Sequence, residues 1–280
     1  MINPEPRYNL EIKTVNKIME VHHHPDVDHK KKHFKEYFLE FLMIFLAVTM
    51  GFFAEQIREN ISEDSQAKAL AQTLYQETYA DSVNMQYRLS LRREKENQMN
   101  YFRKYVKDSN LVNLSVRFYP SFFWSCVISS AIQFIPNDGI LNQLRNSGSL
   151  RYFKNIDVQK AISRMNVVIL NLRTRNSQED AFVEDFSRPF MQKYYDFDWE
   201  DELSQHGRIS GLQGIFESPT FHGAQMPRIR NIKEFDRDNA EALVTNYLMV
   251  IRVTILLDYN PYIEANHQLL ETLRKEFDLK

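Results

Sequence analysis

The residues best suited to chemistry lie in three places. The first is HHHPDVDHKKKH, with His22, His23, His24, His29 and His33 beside Asp26 and Asp28. Imidazole and carboxylate are zinc and nickel ligands. Contiguous histidines seldom converge on one ion, however, and no second ligand cluster is near in sequence. The tract therefore reads as a solvated tail that gains charge below pH ~6.5. The second is YYDFDWEDE, with Asp196, Asp198, Glu200, Asp201 and Glu202. Hard carboxylate oxygens suit calcium, but the glycine and spacing of an EF-hand loop are missing. A solvated acidic surface, or a docking patch for a basic partner, is the simpler reading. The third is Glu40, inside the apolar run FLEFLMIFLAVTMGFFA of Phe38 to Ala54. A carboxylate in an apolar span is a functional candidate by default. Two residues from the start of the run, it can also snorkel to the interface.

Nothing else in the chain resembles a catalytic signature. GxGxxG, GKS or GKT, GxSxG and HExxH are all missing from the sequence. His206, His222 and His267 are widely separated. Cys126, the only cysteine, excludes an intrachain disulfide and reads as a small buried hydrophobe. A formal charge of −2 leaves no basic footprint for nucleic acid. We expect no enzyme, no cofactor and no metal site.

The element that organises the chain is the apolar run. As helix, Phe38 to Ala54 spans roughly 25 Å, close to the ~30 Å hydrocarbon core, and edge residues extend its reach. Lys30, Lys31, Lys32 and Lys35 precede it. Arg58 and Lys68 follow, among Glu55, Glu59, Glu63 and Asp64. This bias predicts a cytoplasmic N-terminus and a periplasmic bulk. The run starts far from Met1 and no small-x-small pattern follows, so it reads as an uncleaved anchor. Ala47 and Gly51, four apart, permit close approach of another membrane helix. Glu40, Ala47 and Gly51 are thus the candidate partner contacts. The partners expected are the bilayer and either another integral membrane protein or a second copy.

The remaining pattern predicts an all-α protein. The expected divisions are a tail over 1–29, an anchor over 30–58, a stalk helix over 59–110 and a periplasmic helical bundle over 111–280. Apolar positions at helical spacing run from Phe53 to Val106 without a breaker, interrupted by charged stretches such as RLSLRREKENQ. The aromatic segment between Pro120 and Pro136 is too polar for a second span and reads as a buried helix. Asn137 or Asp138 can cap a short helix ended by Gly148, and Asp157 can cap another that reaches about Tyr195 with a bend near Pro189. Four of the seven glycines fall in 197–232, an irregular loop. A last helical pair follows, broken at Asn260-Pro261.

KKKHFKEYFLEFLMIFLAVTMGFFAEQIRE together with NDGILNQLRNSGSLRYFKN resembles a group of single-pass envelope proteins of Bacteroidota without assigned function. The resemblance covers about a quarter of the chain. It implies an inner-membrane anchor and a helical periplasmic domain, and brings no catalytic residues. The function expected is that of a structural or accessory subunit of an inner-membrane complex. The alternative is a periplasmic sensor or ligand-binding module that signals through a partner.

Overall fold

The computed structural model describes residues 34–115, 117–126, 130–199, 201 and 228–279. The histidine tract, His206, His222 and most of the 197–232 loop lie outside the described residues. So does the tail over 1–29. Every regular element among the described residues is helical, so the chain is all-α.

Helix α1 runs from Phe34 to Asp108, 75 residues without a break. The chain divides into two units, Met1–Arg58 and Glu59–Lys280, and α1 contributes to both. In the first unit its side chains are almost all exposed. In the second unit α1 packs one face into a helical bundle. Ala67, Ala71, Leu74, Met85, Leu89, Met99, Phe102 and Val106 are buried at three- and four-residue intervals. Residues 59–110, expected as a stalk, therefore do not stand clear of the domain from Ala67 onward.

Against α1 lie α2 (Phe118–Cys126), α3 (Gly139–Ser147) and α4 (Ile156–Phe182), which continues through a π turn, Val183–Ser187, into α5 (Arg188–Tyr194). Helix α6 (Arg237–Thr254) passes through a second π turn, Ile255–Tyr259, into α7 (Asn260–Phe277). Asp64–Lys154 and Arg92–Glu179 set α4 parallel to α1. Glu96–Arg252, Asp81–Tyr262 and Tyr75–Arg274 set α6 and α7 antiparallel to it.

Local signals fix the ends. Asn155, not Asp157, caps α4, its side chain accepting from the Asp157 N–H at 2.8 Å; Asp157 sits in the first turn. Asp138 is the N-cap residue of α3, and Gly148 closes that helix at φ +69°, the left-handed region. Asn260-Pro261 does not break the last helix. The π turn ends at Tyr259, just before Pro261, and this widened turn is how the continuous helix accommodates the proline.

Among the described residues the bundle holds two large apolar cores and a small third cluster of Trp124 with Ile132. One gathers Phe102, Phe118, Phe122, Phe190, Tyr194 and Tyr247 with their neighbours. The other gathers Leu74, Phe134, Leu144, Met165, Tyr262 and Leu269 with theirs.

Candidate functional site

The apolar segment of the first unit is solvent-facing along nearly its whole length. Phe41, Met43, Ile44, Met50, Phe52 and Phe53 are 64–73% exposed. Its 18-residue window has a mean hydropathy of 2.0 and is 0% buried. Large apolar side chains so displayed need an apolar environment from outside the chain. Glu40, Ala47 and Gly51 are all exposed here. A Cβ on Gly51 would meet no atom of this chain within 4 Å. A second apolar window, in Arg237–Phe277, has a mean hydropathy of 1.6. That window is 33% buried: Tyr247, Ile251, Tyr259, Tyr262 and Leu269 are spent on the cores, while Met249, Leu256 and Leu257 are exposed.

Between the cores lies a charged layer. Arg92 and Glu179, 0% and 1% exposed, form a two-pronged pair: each terminal guanidinium nitrogen donates to one carboxylate oxygen at 2.8 Å. The Thr254 hydroxyl donates to Glu179 Oε1 at 2.7 Å. The Arg92 guanidinium stacks 4.5 Å from the Tyr259 ring centre. Lys95, one turn on along α1, is also fully buried, its Nζ 4.0 Å above the Tyr247 ring. The second π turn makes this convergence possible. Residues five apart lie ~140° apart around an α-helix, but the wider π turn brings Thr254 and Tyr259 to the same side.

Burial sets the proton affinities of the layer. It pushes Lys95 down to about 7, against the pull of Glu179 and with the repulsion of Arg92. Burial opposes the Arg92 charge as well, but the Glu179 carboxylate more than compensates and holds its pKa above the ordinary value. Burial pushes the Cys126 thiol up to about 12, with Lys95 working the other way. It also raises the Tyr247 phenol. Cys126 is thus neutral at ordinary pH, as its apolar context predicts.

A second buried acid sits in the other core. Asp81 accepts from the Tyr262 hydroxyl at 3.0 Å and the Asn137 N–H at 2.9 Å. Burial raises it to about 6, moderated by those bonds.

Of the acidic patch, Glu200 and Glu202 lie outside the described residues. Asp196 is buried beneath Tyr119, whose hydroxyl accepts its N–H, and Asp198 faces solvent. Among the described residues no three histidine, cysteine or acidic side chains converge as metal ligands. His267 lies exposed beside Glu271.

Arg92, Lys95 and Glu179 are not among the candidate residues of the sequence, where RLSLRREKENQ only interrupts the apolar spacing. The signal was present in the spacing. Leu89, Arg92, Lys95, Met99 and Leu172, Asn176, Glu179, Val183 keep the three- and four-residue rhythm of the buried stripes.

No protein-family model, no curated protein and no solved structure matches this chain.

Proposed function

We propose that this protein is a non-catalytic structural or accessory subunit of a bacterial inner-membrane complex, anchored once by Phe38–Ala54 with the N-terminus in the cytoplasm. The observation that carries the reading is the unburied apolar segment, 17 residues on which aromatic and aliphatic side chains face outward on every side. The lysine cluster at 30–35 favours its orientation. The resemblance of the anchor and the 137–155 segment to single-pass envelope proteins points the same way. The anchor meets its partner through the face bearing Ala47 and Gly51, with Glu40 near the inner edge.

Mild detergent extraction followed by native mass measurement tests this. The wild type carries a second copy or a co-purifying membrane protein, and Gly51→Ile reduces that association. A strictly monomeric wild type with nothing bound overturns the reading. A soluble protein that never enters the membrane fraction overturns the anchor itself.

A sensor that signals through a partner is the second reading. The observation favouring it is the buried charged layer, which apolar residues could replace if rigidity alone mattered.

A further inference from the structure

We propose that the Arg92–Lys95–Glu179 layer is a proton-responsive joint, in which protonation of Lys95 loosens α2 and α6 from α1 while the Asp81 core stays closed. The placement argues for a joint. Each apolar core closes on its own side, and the polar layer is where they meet. Both π turns flank it: Glu179 is four residues before the first, Thr254 immediately precedes the second, and Tyr259 is its last residue. Such turns carry an extra residue per turn and recur at functional positions.

The charges argue for a proton as the signal. Lys95 faces Arg92 from its own helix, Cys126 from α2, Glu179 from α4 and Tyr247 from α6. Tyr259 of the π turn reaches the layer through Arg92, and Asp180 lies further out, bound to Gln133. Among the described residues Glu179 is the carboxylate that serves both cations. Cys126 and Tyr247 stay neutral because burial raises them. Lys95 is left as the member that changes charge near neutrality, at about 7. Once protonated, it sets two buried cations against one carboxylate, beside Tyr247 of α6 and within the electrostatic reach of Cys126 of α2. Asp81 titrates at about 6, in the other core and in a lower window.

The sign follows from linkage. The folded lysine holds its proton less tightly than the unfolded one. Between pH ~7 and the ordinary lysine range the unfolded chain binds more protons, so stability rises with pH there and is flat below.

The test uses the full chain in detergent micelles. Between pH 7.5 and 9 the folding equilibrium constant of the wild type rises, approaching tenfold per pH unit at the one-proton limit. Amide protection, corrected for intrinsic exchange, falls on acidification over 118–126 and 240–254, and holds over 260–273. Lys95→Met removes both effects, and Asp81→Asn leaves both in place. A wild-type constant independent of pH in that window overturns the proposal, and needs no variant to fold. So does Lys95→Met with an unchanged slope, or protection lost equally over both cores.

Discussion

Glu179→Gln removes one charge and hardly any volume, and should be among the most damaging polar changes in the bundle. Wild-type Glu179 accepts two guanidinium bonds at 2.8 Å and the Thr254 hydroxyl at 2.7 Å, all within a layer closed to water. The amide offers one acceptor oxygen and turns an N–H₂ toward Arg92. Arg92, and Lys95 where it is protonated, then lose their carboxylate. Breaking a buried pair in this way costs about 3–5 kcal/mol. For a domain of this size that lowers the thermal midpoint by roughly 6–20 °C. The loss should be smaller at pH 9, where Lys95 is neutral. Thermal melts followed by circular dichroism give the midpoints. The double change Arg92→Met with Glu179→Met removes both charges and fills the space, so it should recover most of the loss. If Glu179→Gln stays within about 1 kcal/mol of wild type, or the double variant falls as far as the single one, the layer is not dry and the reasoning fails.

Two further changes probe other parts of the bundle. Asp81→Asn keeps an acceptor for Tyr262 and Asn137, and abolishes a titration. Because the folded pKa is raised from 3.8 to about 6, Asp81 stabilises most below pH ~4 and that contribution is lost as pH passes 6. The variant should therefore lose the pH dependence of stability between 4 and 6, and at pH 7 gain up to about 3 kcal/mol by denaturant unfolding. Gly148→Ala places a Cβ at φ +69° with nothing within 4 Å, so the cost is backbone strain alone, about 1 kcal/mol in the same assay.

Much of the fold was readable from pattern. The break-free stretch before Asp108, the Gly148 stop and the buried aromatic helix near Cys126 all follow from spacing and local backbone preference. The role of α1 beyond Ala67 did not, because RLSLRREKENQ looks solvated unless its positions are counted against Leu89 and Met99. Arg92 is tolerated inside because Glu179, 87 residues away, meets it there, and Lys95 because burial lowers its pKa to about 7. No local window contains that partner. The π turn at 255–259 was hidden for a similar reason: Asn260-Pro261 signals a break, and the helix absorbs it by widening the preceding turn. The convergence of Thr254 and Tyr259 depends on that turn, so the layer could not be assembled from sequence alone.

The central claim is an anchored chain with its bulk outside the cytoplasm. Cys126 is buried and its thiol is held neutral, so it is a silent background for labelling engineered cysteines. In intact cells a membrane-impermeant maleimide should label Asp278→Cys at once, and Asn3→Cys only after the inner membrane is permeabilised. The reverse pattern would contradict the orientation, and equal labelling of both sites without permeabilisation would contradict the anchor.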